Sequence, residues 1–161
     1  MIAALQPRNA AITIVEAIVT AAAAAAVLLA GLPLWVMFVG WISYYTRGVT
    51  VRDGLLNHVC VAIGMVIGLG AALALRQLGP EPALPAQVAL VFAVALVVLS
   101  LRFLPKANNL LAFFLGLVTF FAAHAEPALA SLIPLWAAAA IGAIGGAVAH
   151  ALQLRLREPQ P

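Results

Sequence analysis

The stretch LPLWVMFVGWISYYT at Leu32 to Thr46 decides the fold, because a similar stretch, LPKANNLLAFFLGLVTFFA, begins at Leu104. Each copy opens on a Leu-Pro, and five of its positions recur at a constant spacing of 76 residues. Five matches in register indicate an internal duplication. The matched pairs are Phe38 and Phe114, Gly40 and Gly116, Ser43 and Thr119, Tyr44 and Phe120, and Tyr45 and Phe121.

Both copies are short for a membrane span. About 14 to 16 apolar residues in a helix, at about 1.5 Å each, reach about 21 to 24 Å. The hydrocarbon layer of a bilayer is about 30 Å thick. Paired short hydrophobic segments at matching positions of two halves are typical of transport proteins, where they mark the binding site.

The composition is that of a polytopic membrane protein. Of the 161 residues, 66% are hydrophobic and only 8% are charged, and the mean hydropathy is +1.15. The basic residues flank apolar runs and do not cluster, so the net charge of +3 indicates topology and does not predict nucleic-acid binding. The bilayer is the expected surrounding.

Six apolar runs predict six transmembrane helices. They cover about 10–31, 34–46, 55–75, 86–103, 108–123 and 130–152, with a polar turn, RGVTVRDG, between the second and the third. Three spans in each half is an odd number, so the second half must enter the membrane in the opposite sense. We therefore expect one all-α membrane bundle made of two inverted three-helix repeats, at about 10–78 and 84–155.

The positions of the basic residues predict the orientation. A cytoplasmic N-terminus leaves only Arg76 of the eight basic residues outside, and a six-span chain then has both termini in the cytoplasm. The seven basic residues placed inside are Arg8, Arg47, Arg52, Arg102, Lys106, Arg155 and Arg157.

Two motifs carry a family resemblance. GLPLWVMFVGWISYY at Gly31 to Tyr45, and LLAFFLGLVTFFA at Leu110 to Ala122 followed by a glycine-rich last helix, resemble the YcdZ-like family of small bacterial inner-membrane proteins, a domain of unknown function. The resemblance covers about residues 10–152. It implies a bacterial cytoplasmic (inner) membrane location and no defined activity. The chain departs from the family pattern after the second span, where Gly48 stands in place of a glycine pair.

The two short spans supply the candidate site. A helical period places Gly40, Ser43 and Tyr44 on one face, and it does the same for the second copy. Glycine allows close approach, hydroxyl and amide groups replace water around a polar solute, and the rings of Tyr44 and Phe120 would set a pore's width. Such residues also serve as ordinary packing residues between membrane helices. The second copy contributes Asn109, Gly116, Thr119 and Phe120.

Three further polar residues are candidates for ionisable or gating roles. Glu16 lies inside the first span, where a carboxylate is costly and by default functional, although a solvated or paired carboxyl near the interface is the alternative. Asn57 shares a face with Gly64. His150 shares a face with Gly146, and simple hydration is the alternative for it.

Four glycines form two Gly-x-x-x-Gly pairs that predict close helix packing: Gly64 and Gly68, and Gly142 and Gly146. The histidines and Glu16 lack the spacing of metal ligands, so we expect no metal site. The chain contains no nucleophile elbow, phosphate loop or carboxylate dyad, so we expect neither an enzyme nor a cofactor.

The function that the sequence favours is passage of a small neutral or weakly ionised polar solute, by a channel or a simple carrier, at the interface of the second and fifth spans. The near absence of charge inside the spans disfavours a strongly charged solute. Because six short helices enclose little volume, we also expect a homo-oligomer joined through Ala/Gly faces. The alternative is a structural or accessory subunit that binds another membrane protein and transports nothing.

Overall fold

The computed structural model describes residues 7–157, and among these residues it contains helices and no strand. The all-α prediction is therefore confirmed. The six α-helices are α1 (Pro7–Leu29), α2 (Leu34–Tyr45), α3 (Val51–Gln77), α4 (Leu84–Ser100), α5 (Leu110–Ala122) and α6 (Leu132–Arg157). Single 3₁₀ turns follow α4 at Leu101–Phe103 and precede α6 at Leu129–Ser131.

The helices fall into a long class and a short class. Helices α1, α3, α4 with its 3₁₀ turn, and α6 are long and apolar enough to cross a membrane. Helices α2 and α5 have 12 and 13 residues, which gives them lengths of about 18 and 20 Å. The chain is thus built as a multi-pass membrane protein in which two apolar helices are shorter than the hydrocarbon layer.

The turn between α2 and α3 is shorter than the sequence predicts, because α3 begins at Val51 and not near Leu55. Thr50 caps the helix, since its hydroxyl oxygen accepts a hydrogen bond from the Asp53 backbone N–H at 3.1 Å. Asp53 then places a negative charge in the first turn, where the helix dipole favours it. Polar residues that resemble a loop therefore form a capped helix start.

Helices α2 and α6 meet along a close contact that we call the α2–α6 seam, formed by Met37, Gly40, Ala139 and Gly142. A Cβ added at Gly40 would lie 1.8 Å from the carbonyl oxygen of Ala139, and one added at Gly142 would lie 1.8 Å from that of Met37. No side chain fits in either place. The glycines therefore let the two backbones touch, as small residues do between membrane helices.

Helices α3 and α5 form the corresponding α3–α5 seam, with Val61, Gly64, Phe113 and Gly116. A Cβ at Gly116 would lie 1.9 Å from the Val61 carbonyl oxygen, and one at Gly64 would lie 2.0 Å from that of Phe113. Residues of α2 and α5 correspond between the seams at a spacing of 76, and residues of α3 and α6 at a spacing of 78. Each short helix thus packs on the third helix of the other half.

The outer helices are less alike. Helix α1 packs along α6 and buries Ile12, Ala23 and Val27. Helix α4 packs weakly on α3 and α5, and Val98 is its buried residue. The core therefore consists of α2, α3, α5 and α6, with α1 held firmly against it and α4 mostly exposed.

Candidate functional site

A buried network of polar groups joins the C-terminal end of α2 to the N-terminal ends of α3 and α5. Asn57 is fully buried, and its side-chain amide donates to the backbone oxygens of Ser43 at 3.0 Å and Arg47 at 3.2 Å. Asn109 donates to the Asn57 side-chain oxygen at 2.8 Å and also to the Thr46 hydroxyl. Every amide group in this Asn57–Asn109 network has a partner, as buried polar groups require.

Asn109 is held in place by its role as the cap of α5. Its side-chain oxygen accepts a hydrogen bond from the Ala112 backbone N–H at 3.3 Å, and its backbone is extended. The oxygen therefore serves the helix while the amide nitrogen serves the network. Asn109 can cap α5 and join the network at the same time, because an Asn side chain carries an oxygen acceptor and an amide group with two donors.

A polar cavity of about 600 Å³ opens above this network, and we call it the Arg47 cavity. Arg47 donates to the backbone oxygen of Lys106 and to the side-chain oxygen of Asn108, and it lies 3.7 Å from the Asp53 carboxylate. Because its own backbone oxygen accepts from Asn57, Arg47 connects the cavity to the buried network. The remaining lining residues are Thr50, Arg52, Leu56 and Pro105.

A second cavity, of about 560 Å³, lies at the opposite end of α3 and α5, and we call it the Arg76 cavity. Arg76 at the end of α3 donates to the Glu126 carboxylate at 2.7 Å. Both side chains are largely exposed. Phe120 of α5 lines the cavity together with His124 of the following loop. The α3–α5 seam therefore has one cavity at each end.

The seam is closed between the two cavities. Cys60, Val61 and Phe113 are fully buried there, and the glycine contacts leave no room for a Cβ atom. The packed seam therefore separates the two cavities in this conformation.

The seven predicted pore residues belong to α2 and to α5 with its cap, and these two helices make few contacts with each other. Gly40 and Tyr44 pack against α6, and the backbone oxygen of Ser43 accepts a hydrogen bond from Asn57 of α3. The hydroxyl of Ser43 donates to the Gly40 backbone oxygen at 2.7 Å, as that of Thr119 does to Leu115. These hydroxyls are thus bonded within their own helices. Asn109, Gly116 and Phe120 belong to the α3–α5 seam, and that the seven residues line one pore stays a prediction.

Of the three candidates for ionisable or gating roles, Asn57 belongs to the Asn57–Asn109 network at the end of the α3–α5 seam, whereas Glu16 and His150 lie away from that seam. Glu16 is half-buried on α1, and within residues 7–157 it forms no ion pair. His150 is half-buried on α6, and its Nδ1 lies 3.3 Å from the Tyr44 hydroxyl. Gly146, one turn earlier, accepts a hydrogen bond from the Tyr45 hydroxyl through its backbone oxygen. Gating roles for Glu16 and His150 stay predictions.

The sequence reasoning expected His58 to be a hydrated histidine, which is wrong, and it did not single out Trp136. His58 is buried on α3, and its ring lies 5.1 Å from the ring of Trp136 on α6. A signal was present, because these two residues differ by 78 in number, the same spacing as Gly64 and Gly142. Among the described residues, no group of three His, Cys, Asp or Glu side chains is placed to hold a metal ion.

Comparison with known proteins gives a family and no function. Residues 11–152 match the model of the family described as protein of unknown function (DUF1097), which spans all six helices. No curated protein and no solved structure matches the chain. The match supports an uncharacterised family and gives no support to the narrower YcdZ-like name. The chain belongs to this family of proteins of unknown function.

Proposed function

We propose that all six helices cross the membrane as two inverted repeats, with both termini in the cytoplasm of a bacterial cell. The equivalent contacts of the two seams support the duplication. Arg8 donates to the Leu156 backbone oxygen at 2.9 Å, which brings the start of α1 beside the end of α6. The Arg76–Glu126 pair lies at the other end of the bundle. The basic residues other than Arg76 then face one side, as the positive-inside rule requires.

Labelling of single cysteines tests this topology. Cys60 is fully buried, so Cys60→Ser gives a background without an accessible thiol. In intact cells, a membrane-impermeant maleimide should label Glu81→Cys and Glu126→Cys in that background. It should label Arg52→Cys and Lys106→Cys only after the cells are opened. Labelling of Lys106→Cys and Glu126→Cys from the same side would show that α5 does not cross, and the inverted repeat would be wrong.

We further propose that the protein passes a small polar solute across the membrane along the α3–α5 seam. The observation that carries this proposal is the pair of cavities, the Arg47 cavity and the Arg76 cavity, at the two ends of one seam. Opening requires α5 to move away from α3 near Gly64 and Gly116. A route that is closed between two accessible ends is the resting arrangement of a gated channel or an alternating-access carrier.

The charge of the Arg47 cavity indicates the class of solute. Arg47, Arg52 and Lys106 face a single carboxylate, Asp53, so the entrance carries net positive charge. The buried network next to it is built on the neutral amides of Asn57 and Asn109. A cation is repelled at the entrance and a strong anion finds no charged partner deeper in the seam. A neutral solute, or a weak acid that crosses in its neutral form, fits both regions.

Swelling of proteoliposomes tests transport directly. Vesicles containing the protein should swell faster than empty vesicles in at least one solute of a panel of glycerol, urea, acetamide and acetate. Leu56→Trp should slow this swelling at least tenfold, because Leu56 lines the Arg47 cavity and an indole would fill its floor. Val59→Trp is the matched control, since Val59 is exposed one turn further along α3.

Two outcomes would count against the transport proposal. Equal swelling of protein-containing and empty vesicles for every solute would reject passage of small polar molecules. Equal slowing by Leu56→Trp and Val59→Trp would reject the route through the Arg47 cavity. Retention of a monodisperse peak on size exclusion shows that each variant has folded.

One observation favours the second candidate, an accessory subunit or a homo-oligomer. Helix α4 exposes Val88, Val91, Phe92 and Leu96, and its contacts with the core are weak. The seam glycines are already used inside the monomer, so a protein partner would bind an exposed apolar face such as that of α4. Cross-linking of membranes through Phe92→Cys tests this role. A dimer band would indicate self-association, and a heavier band that holds one copy of the chain would indicate a different membrane protein.

A further inference from the structure

The Arg47 cavity carries more positive than negative charge. Its lining includes three cations, Arg47, Arg52 and Lys106, and a single carboxylate, that of Asp53. Asp53 is already engaged, because it accepts a hydrogen bond from the Thr50 hydroxyl at 2.7 Å and lies 3.7 Å from Arg47. Arg47 therefore matches the charge of Asp53, and Arg52 and Lys106 supply the excess.

Two of the cations, Arg52 and Lys106, have no side-chain partner within residues 7–157, since neither forms a hydrogen bond or an ion pair through its charged group. Arg47 has a different task. Its guanidinium group donates to the Lys106 backbone oxygen at 3.3 and 3.2 Å. This contact ties the segment before α5 to the turn before α3, so the two unpartnered cations line one cavity from two different elements.

Large exposed apolar side chains lie close to these cations along the chain. Leu55 and Val59 follow Arg52 by three and seven residues, which places all three on one face of α3. Their exposed fractions are 65% and 42%. In the segment before α5, Phe103 is 77% exposed and precedes the lining residue Pro105 by two positions. A cationic cavity beside an exposed apolar face matches an amphiphile with an anionic end.

In the topology proposed above, the Arg47 cavity lies at the depth of lipid headgroups. The cavity is at the N-terminal end of α5, which has 13 residues and is therefore about 20 Å long. The hydrocarbon layer is about 30 Å thick, so both ends of a centred α5 lie inside the phosphate layers. The inference thus rests on the proposed topology and is independent of transport.

We propose that the Arg47 cavity binds the phosphate group of an anionic phospholipid through Arg52 and Lys106, while an acyl chain lies along Leu55 and Val59. Guanidinium and ammonium groups both donate charge-assisted hydrogen bonds to phosphate oxygens. A zwitterionic lipid is disfavoured, because its own cation would meet the same excess of positive charge. Basic pockets between helices on the cytoplasmic side of a membrane bind anionic headgroups in this way.

Native mass spectrometry of the detergent-solubilised protein tests the site. One titration uses dioleoylphosphatidylglycerol, which is anionic, and the other uses dioleoylphosphatidylcholine, which has the same chains and no net charge. Phosphatidylglycerol should bind at least about fivefold more tightly. Glycerol phosphate, a soluble anion without chains, should bind at least about tenfold more weakly than phosphatidylglycerol, because each buried CH₂ group of a chain strengthens binding about fourfold.

Charge variants locate the site. Arg52→Gln and Lys106→Gln should each weaken the binding of phosphatidylglycerol about fivefold, the effect of one cation near an anionic lipid, and the double variant about 25-fold. Lys106→Gln keeps the backbone oxygen that Arg47 binds, so the segment before α5 stays in place. Arg155→Gln is the matched control, because Arg155 lies in the last turn of α6, outside the cavity and on the same side in the proposed topology. It should change binding less than about twofold.

Three results would overturn the proposal. Equal binding of the two phospholipids would show that the charge of the headgroup is not recognised. Equal weakening by Arg52→Gln and Arg155→Gln would show general attraction to a basic surface. Binding of glycerol phosphate as tight as that of phosphatidylglycerol would show that the cavity takes a soluble anion. If the double variant does not fold, the comparison of ligands on the natural sequence decides the question. A wrong topology would show in the cysteine labelling and a wrong transport route in the swelling experiment, so each failure is distinct.

Discussion

The α3–α5 and α2–α6 seams are closed by the same contacts between glycines and carbonyl oxygens, yet within residues 7–157 only the α3–α5 seam ends in a buried amide network. Asn57 corresponds to Leu135 at the spacing of 78, and Asn109 corresponds to Pro33 at the spacing of 76. Leu135 is buried like Asn57 but offers no hydrogen bond. The two seams therefore share a geometry and differ in chemistry.

This difference teaches which features of the repeat are constrained by packing. Two backbones in contact tolerate no Cβ atom, so a substitution at Gly40 or Gly116 forces the helices apart. A position beside the seam, such as Leu135, can hold any side chain of suitable volume if its polar atoms have partners. Packing therefore accounts for the glycines in both halves, while the amides of one half serve a hydrogen-bond network that the other half lacks among residues 7–157.

The largest expected effect tests the shared geometry. Gly116→Val and Gly40→Val should each destabilise the fold by about 3 kcal/mol or more, because the added Cβ would overlap a facing carbonyl group. The matched control is Gly70→Val, since a Cβ at Gly70 meets nothing within 4 Å. Thermal unfolding of the detergent-solubilised protein measures all three. A much smaller loss for Gly40→Val than for Gly116→Val would show that the seams are not equivalent.

A smaller effect tests the difference between the seams. Asn57→Leu should destabilise the fold by about 2 kcal/mol, because it leaves the Asn109 amide and two backbone oxygens with fewer partners. The double variant Asn57→Leu with Asn109→Ser should lose little more, since serine keeps the cap of α5 and removes the orphaned amide. Losses that simply add would show that the two amides do not act together. Chemical denaturation gives the free energies.

The smallest expected effect concerns the two ends of the α3–α5 seam. Glu126→Gln should change the free energy of unfolding by less than about 1 kcal/mol, because the Arg76–Glu126 pair is exposed to solvent. Arg47→Gln should cost more, since Arg47 binds the Lys106 backbone oxygen and Asn108 as well as lying near Asp53. Equal effects of the two variants on thermal unfolding would show that the Arg47 cavity is no better ordered than the Arg76 cavity.

The apolar runs and the glycine spacings in the sequence were sufficient to predict the six helices and their glycine faces. Gly64 and Gly142 lie at contacts, as the Gly-x-x-x-Gly spacing indicates. The partners of the short helices were not predictable in the same way. Helical periodicity places Gly40 and Gly116 each on one face of a short helix, but it does not show which helix packs against that face. In the structure, the partner is the third helix of the other half. That pairing depends on long-range packing, which hydrophobic periodicity does not encode.

The missed residues have a similar explanation. In the sequence, His58 resembles a hydrated histidine near a membrane surface. Its position in the span predicts how far it lies from that surface, but it does not predict whether the ring faces another helix. Only the approach of α6 shows that Trp136 covers its ring. The early start of α3 was likewise hidden, since Thr50 and Asp53 have the composition of a loop until their mutual hydrogen bonds are seen.

The tilted ring contact between His58 and Trp136 bears on the proposed duplication. These residues are counterparts at the spacing of 78, and their ring centres lie 5.1 Å apart. A dimer of identical chains with the same arrangement would place each residue beside its own twin, histidine on histidine or tryptophan on tryptophan. An unlike pair requires two copies that differ in sequence, and two halves of one polypeptide are free to differ.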